Sequence, residues 1–106
     1  MPFIDLSHVE EREMAPGFRA RFVHTDVLTL AFWRVRAGAV LPEHAHPHEQ
    51  VTTLIEGAFS LTVDGRTRTL VPDNAAVIPP GIPHSGRAET DCTLIDVFHP
   101  PRDDYR

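Results

Sequence analysis

Short alternating runs of apolar residues, closely spaced between turns, are the feature that most constrains the fold of this chain. In residues 18–24 apolar side chains occupy every second position from Phe18, with arginines between them. Seven more strand-like runs follow at residues 28–35, 50–56, 58–63, 66–70, 75–80, 84–88 and 92–99. A period of two places alternate side chains on opposite faces of a strand, and turns this frequent favour an all-β sandwich or barrel.

The length predicts a single domain, because 106 residues are enough for one hydrophobic core but not for two. Residues 1–17 show little periodicity and end in a proline-glycine turn, so we interpret them as an N-terminal arm. Residues 18–106 then form the barrel. Within it, Asp64-Gly65 is the typical signal of a tight hairpin, since glycine readily adopts the positive φ that such turns require.

Composition argues against several classes of partner. The formal net charge of −5 gives no electrostatic support for binding to nucleic acid or to an anionic membrane. Cys92 is the only cysteine, so no disulfide can form within the chain, and a reducing compartment is suitable. No apolar run approaches membrane-spanning length, and the N-terminus does not resemble a secretion signal. These features predict a cytoplasmic protein.

Histidines cluster at the start of the run that begins near residue 50. In an extended strand His44 and His46 would point to one face, about 7 Å apart. Pro47 interrupts regular pairing, so the direction of His48 stays open, whereas His84 follows a rigid proline-glycine turn. A lone histidine in a strand is usually exposed or hydrogen-bonded. A pair at this spacing with a further histidine behind a turn instead favours a metal site, because imidazole is a good ligand for transition metals.

Two spaced motifs resemble those of the cupin family. The first contains Gly38, His44, His46, Gln50 and Gly57, and the second contains Pro79, Gly81 and His84. Three positions depart from the family pattern. Gln50 stands where the first motif usually has a glutamate. Asp73 stands where the second motif usually begins with a glycine, and Ala88 stands where it usually ends with an asparagine. Asp73 and Ala88 are not ligand positions, so they bear on turn geometry rather than on the site.

The cupin resemblance implies a double-stranded β-helix, which is a jelly-roll barrel, as the fold. It also implies that His44, His46, Gln50 and His84 surround one divalent metal ion inside the barrel. Imidazole and amide ligands accept zinc, nickel, iron, cobalt or manganese, so the identity of the ion is open.

The amide of Gln50 affects the chemistry of such a site. A neutral amide in place of a carboxylate leaves the site with a charge of about +2, which favours Lewis-acid chemistry on an anionic substrate. It weakens the case for oxygen activation, where an anionic ligand stabilises higher oxidation states. Glu49 is a rival ligand, but its position in the alternation points it away from the histidines.

An aspartate lies within an apolar strand near the C-terminus. Leu94, Asp96 and Phe98 share one face, and both faces are mostly apolar, which predicts burial on both sides. A buried carboxylate needs a partner or takes a raised pKa, which suits proton transfer. Arg102 could be that partner, or it could offer its planar guanidinium to a substrate carboxylate. Both alternatives remain open at this stage.

Three segments together resemble the KdgF family of cupins: HAHPHEQ, IPPGIPH and LIDVFHPPRDDY. Members of that family help convert 4,5-unsaturated monouronates, released by pectin and alginate lyases, into linear 4-deoxy-5-keto uronate. The resemblance implies catalytic roles for Asp96 and Phe98 and a substrate-binding role for Arg102. It implies a small sugar acid as the partner, from either polysaccharide.

Two other functions are compatible with a cupin metal site. One is an iron-dependent dioxygenase of a small molecule, which would consume oxygen and require iron. The other is a non-catalytic cupin that binds a sugar or senses a metal, although Asp96 would then have no evident reason to lie in an apolar strand. We also expect a homodimer, because association would help a core of this size.

Overall fold

The computed structural model describes residues 2–106, which form ten strands in two antiparallel sheets. The strands are β1 Arg12–Ala15, β2 Phe18–His24, β3 Thr29–Val35, β4 Val40–His44, β5 Glu49–Glu56, β6 Phe59–Val63, β7 Arg66–Leu70, β8 Ala75–Ile78, β9 His84–Ala88 and β10 Cys92–His99. Short 3-10 helices lie at Leu6–His8 and Asp103–Tyr105. No helix in this described part of the chain is long and apolar enough to cross a membrane.

The order of strands explains how one cavity forms between the sheets. The larger sheet runs β1-β2-β3-β10-β5-β8, and the smaller runs β4-β9-β6-β7. β1, β2 and β3 are consecutive in one sheet, and β6 and β7 in the other, but every remaining step along the chain from β3 to β10 crosses between the sheets, as in a jelly roll. The prediction of an all-β, single-domain jelly roll is confirmed.

The apolar core fills the interior between the sheets. Alternate side chains of β2, β5, β6 and β10 point inward, among them Phe18, Leu54, Phe59 and Leu94, which are nearly inaccessible to solvent. The rings of Phe18 and Phe59 meet edge to face at 6.4 Å between centroids. This packing follows from the period-two pattern of the sequence, which puts one apolar face of each strand against the other sheet.

All eight predicted strands are present, and two further strands were missed. β1 lies within residues 1–17, the predicted N-terminal arm, and pairs with β2. β4 contains Pro42, which is tolerated because β4 is an edge strand of the smaller sheet.

Two turns retain the geometry that their positions require. Asp64 and Gly65 both have positive φ and join β6 to β7 through a two-residue hairpin loop, as predicted. Asp73 takes a φ of +77°, so it adopts the left-handed conformation expected of the glycine that it replaces. The departure from the motif at Asp73 therefore leaves this turn intact.

Candidate metal centre and active site

Three predicted ligands converge where the smaller sheet meets the segment leading into β5. His44 ends β4 and lies directly opposite His84, which begins β9, so the two form a cross-strand pair. His46 lies in the loop between β4 and β5. The ring centroids of His44 and His84 are 4.2 Å apart, and that of His46 lies 4.9 Å from His84 and 5.8 Å from His44.

Backbone carbonyls orient all three imidazoles. The Nδ1 atoms of His44, His46 and His84 lie 2.9, 3.1 and 2.9 Å from the carbonyl oxygens of Pro42, His48 and Ile82 respectively. A carbonyl oxygen can only accept, so each Nδ1 carries the proton and donates it. In the neutral form of each ring, Nε2 then keeps a free lone pair, which is the tautomer that a metal requires.

The free lone pairs are arranged to hold a cation. One ligand atom from each of His44, His46 and His84 lies within 4.8 Å of the other two. Nε2 of His84 is buried and has no hydrogen-bond partner within residues 2–106, and a buried polar atom without a partner is costly. Burial lowers the pKa of His46 and of His84, which keeps both rings neutral. The residues present therefore fit a divalent metal ion.

Gln50 completes this group from β5. Its Oε1 lies 3.0 Å from Nε2 of His46, and its Nε2 donates to Oγ1 of Thr52 at 2.9 Å. Thr52 in turn donates its hydroxyl hydrogen to Asp96 at 2.6 Å, so its oxygen must accept from the amide nitrogen. This chain points the amide oxygen at His46. Two lone-pair acceptors then face each other, an arrangement that a cation between them would stabilise. Glu49 is exposed, as its parity predicted.

Asp96 lies on β10 directly opposite Thr52 and is 8% exposed. Its burial raises the pKa to about 6, although hydrogen bonds from Thr52 and the amide of Gln50, together with the nearby Trp33 indole, act in the opposite direction. The prediction that both faces of β10 are buried holds for one face only. Leu94, Asp96 and Phe98 are buried, whereas the other face is half-buried and ends in exposed His99.

Arg102 is buried, but its partner is not Asp96. Its guanidinium donates to the carboxylate of Asp104 at 3.0 Å and 2.8 Å. It also lies 4.8 Å from the centre of the Phe98 ring and 3.9 Å from that of Tyr105, positions in which an arginine interacts favourably with an aromatic face. Of the two alternatives left open for Arg102, pairing with Asp96 is therefore wrong.

One cavity of about 140 Å³ brings the predicted site residues together. Six of the seven line it: His44, Gln50, His84, Asp96, Phe98 and Arg102. The seventh, His46, packs its ring against Phe98 at 5.7 Å between centroids. His48, whose direction was open, packs against His46 and Phe98 rather than joining the three-histidine cluster.

Three further residues that line the cavity, and one that pairs with Arg102 outside its lining, were not singled out from the sequence. Thr52 links Gln50 to Asp96, and its parity with Gln50 was a usable signal for its inward direction. Trp33 places a buried indole N–H on the cavity wall without a hydrogen-bond partner in residues 2–106. Tyr105 and Asp104 contact Arg102; both lie in the C-terminal segment that carried the family resemblance, but that resemblance implied no role for either of them.

This fold and this site define a class of protein. A jelly-roll barrel with two histidines from one motif, a third from a later motif and a glutamine between them is the arrangement of a metal-binding cupin. The cupin domain family matches residues 31–98, and the chain belongs to that family.

Within the cupins, the chain is similar to KdgF. The structure of KdgF from Halomonas sp. is 34% identical in sequence, with a TM-score of 0.89 over 98% of this chain and 96% of that one. An RmlC-like cupin from Shewanella frigidimarina is 28% identical, with a TM-score of 0.94 over 100% of this chain and 96% of that one.

The chain also resembles cupins of other named activities. An H2HPP isomerase of Bacillus subtilis is 26% identical over 92% of this chain, which spans only 42% of the length of that protein. Salicylate 1,2-dioxygenase from Pseudoaminobacter salicylatoxidans, in its structure with gentisate, is 26% identical, with a TM-score of 0.78 over 82% of this chain and 26% of that one. Relatives of this kind point to an enzyme, and they span more than one reaction type.

Proposed function

We propose that this protein is a metal-dependent enzyme that opens 4,5-unsaturated monouronates and converts them to linear 4-deoxy-5-keto uronate. One observation carries the proposal: a buried carboxylate, Asp96, whose pKa is raised to about 6, shares a cavity with a three-histidine cluster. A group with such a pKa exchanges protons readily near neutral pH. The similarity to KdgF supports the substrate class.

The reaction is an isomerisation in which a proton moves within the substrate. Asp96, as the carboxylate, accepts the proton of the hydroxyl on C1 while the bond between C1 and the ring oxygen breaks. The electrons of that bond pass to the ring oxygen and leave an enolate at C4 and C5. Asp96 then returns the proton to C4, which yields an aldehyde at C1 and a ketone at C5. No atom or electron is gained or lost overall.

The other residues of the cavity bind and orient the substrate. A divalent ion held by His44, His46, His84 and Gln50 would supply Lewis-acid stabilisation of negative charge on substrate oxygens. Phe98, two residues from Asp96 on the same face of β10, offers an apolar surface to the sugar ring. Arg102 offers two parallel N–H donors to the carboxylate on C5, the geometry that suits a carboxylate best.

The experiment that tests this function follows the vinyl proton at C4 of 4,5-unsaturated galacturonate by NMR. Metal-loaded protein should remove that signal faster than the spontaneous background, whereas metal-stripped protein and an Asp96→Asn variant should not. Asp64→Asn, at the exposed hairpin, is the matched control and should behave as the native protein does. Loss of the signal at the background rate in every sample would refute ketonisation.

A second candidate is an iron-dependent dioxygenase, favoured by the similarity to salicylate 1,2-dioxygenase. The lack of a carboxylate among the candidate ligands argues against it. Oxygen uptake by iron-loaded protein with small aromatic acids would distinguish the two reactions, because ketonisation consumes no oxygen. The sugar-acid partner, the absence of nucleic-acid or membrane partners, the homodimer and the cytoplasmic location stay predictions.

A further inference from the structure

The guanidinium of Arg102 already holds a carboxylate. Nε of Arg102 donates to Oδ1 of Asp104 at 3.0 Å, and a terminal nitrogen donates to Oδ2 at 2.8 Å. Two parallel bonds of this kind are the arrangement that a ligand carboxylate would adopt on the same group. Hydrogen bonding from Arg102 also holds the pKa of Asp104 below its usual value, so Asp104 is charged at neutral pH. Asp104 therefore occupies one edge of the guanidinium at which a carboxylate binds through two hydrogen bonds.

Arg102 is buried and held by several contacts, whereas Asp104 is largely exposed and held by Arg102 alone among the described residues. The side chain of Arg102 is 9% exposed, and its backbone N–H donates to the hydroxyl of buried Thr29 at 2.9 Å. Its guanidinium lies between the rings of Phe98 and Tyr105. The side chain of Asp104 is 58% exposed, and both hydrogen bonds that it accepts from other residues within 2–106 come from Arg102. Asp104 is consequently the partner that can leave.

Departure of Asp104 requires a side-chain rotation and no movement of the backbone. The turn that carries it is fixed on both sides, because Tyr105 donates its N–H to the carbonyl of Arg102 at 2.9 Å and Arg12 donates to the carbonyl of Tyr105. The ring of Tyr105 also packs against Phe22. An exposed carboxylate that rotates outward regains its water, and Arg102 stays paired only if another carboxylate replaces it.

We infer that Asp104 competes with the substrate carboxylate for Arg102. It occupies the guanidinium in the free protein, yields it to a bound sugar acid and takes it back when the product leaves. The inference rests on the proposed function in one respect, which is that the ligand presents a carboxylate to Arg102. A residue that competes in this way weakens the binding of the acid, whereas a residue that merely orients Arg102 would strengthen it.

The test is calorimetric binding of galacturonate, a saturated sugar acid that cannot react, to metal-loaded native protein and to two variants. Asp104→Asn removes the competitor. Asp103→Asn is the control, since Asp103 is the adjacent exposed aspartate, pairs with Arg106 and loses the same charge. Asp104→Asn should tighten galacturonate binding by about threefold to tenfold, and Asp103→Asn by less than about twofold. Neutral galactose should bind equally to all three.

Kinetics with the unsaturated uronate provide a second measurement. Asp104→Asn should lower KM by a similar factor without raising kcat, because Asp104 touches Arg102 and not the reacting atoms. Unchanged or weaker galacturonate binding by Asp104→Asn would overturn the inference, as would a lack of galacturonate binding by all three proteins. Tighter binding by Asp104→Asn in a protein that does not accelerate ketonisation would support the competition and refute the proposed reaction instead.

Discussion

The same strands build both ends of the barrel interior, but the side chains that point inward are polar at one end and apolar at the other. On β5, Gln50 and Thr52 face the cavity, and two residues further Leu54 faces the apolar core. On β10, Asp96 carries a carboxylate into the cavity, whereas Leu94, which also lines the cavity, belongs to the apolar core. One half of each strand thus contributes to stability through burial of apolar area, and the other half carries polar groups whose burial has a cost.

This division shows that the apolar core and the backbone of the turns form a frame that holds the site. The stability of this frame does not depend on the site. The core residues bury their side chains without any contribution from a metal. The histidines are positioned by backbone carbonyls of the turns that flank them. Substitutions at the two ends should therefore affect different properties, and the following experiments test that separation.

The largest effect should follow from removal of a ligand at the polar end. His84→Ala deletes the imidazole whose Nε2 has no other partner within residues 2–106, and we expect activity to fall at least about a thousandfold with loss of bound metal. The free energy of unfolding of the metal-free protein should fall only modestly, because loss of the orphaned nitrogen offsets part of the cost of removing a buried ring. Metal content by mass spectrometry and urea unfolding measure the two properties. Unfolding of the variant would show that the frame does depend on the site.

The complementary change is at the apolar end. Leu54 is 1% exposed within the core, so Leu54→Ala should lower the free energy of unfolding by about 3 kcal/mol through lost burial and the cavity left behind. Metal content per folded molecule should match that of the native protein. A variant that folds but no longer binds metal would argue against two separable ends.

A smaller effect concerns how ionisation of the buried Asp96 carboxyl lowers the free energy of unfolding. The folded-state pKa of Asp96, about 6, lies above the ordinary value of 3.8, so the folded state binds the proton more tightly than the unfolded state. The stability of the metal-free native protein should accordingly fall as pH rises through this interval, and Asp96→Asn should lack that loss. Relative to the native protein, we expect the variant to gain about 2 kcal/mol between about pH 4 and pH 7.

Urea unfolding of both metal-free proteins at several pH values measures this difference. Thr52 can still donate to the amide oxygen of the variant, which keeps the hydrogen bond of the native protein. A stability difference that is independent of pH would mean that Asp96 is not protonated preferentially in the folded state.

The smallest effect tests why an amide occupies position 50. Gln50→Glu removes the donor to Thr52 and adds a negative charge near Asp96, which should raise the pKa of Asp96 by about one unit. In a plot of activity against pH, the rise on the acid side (the acid limb) should shift to higher pH by the same amount. Glu49→Gln, one residue away and exposed, is the control and should leave the limb in place. An unshifted limb in Gln50→Glu would exclude Asp96 as the group that sets it.

The sequence predicted the fold better than the connections within the site. Strict alternation identified the strands, but β1 lacks alternation and β4 contains a proline, so neither had a signal. The spacing of His44, His46 and His84 indicated the metal cluster because ligand distances restrict it. The link from Thr52 to Asp96 depends on the register between β5 and β10, which is set by distant turns and packing. The pairing of Arg102 with Asp104 depends on a short 3-10 helix that has no periodicity.

The hydrogen bonds that the three imidazoles make to backbone carbonyls have a consequence for how this site would take up a metal ion. Since the imidazoles already hold the required tautomer and direction, little conformational entropy is lost when an ion arrives. A ready-made set of imidazole nitrogen ligands accepts several first-row metals, and supply then decides which of them is bound. The identity of the metal in the purified protein should thus depend on which metals the growth medium supplies. Dialysis against another metal should exchange the bound ion without unfolding the protein.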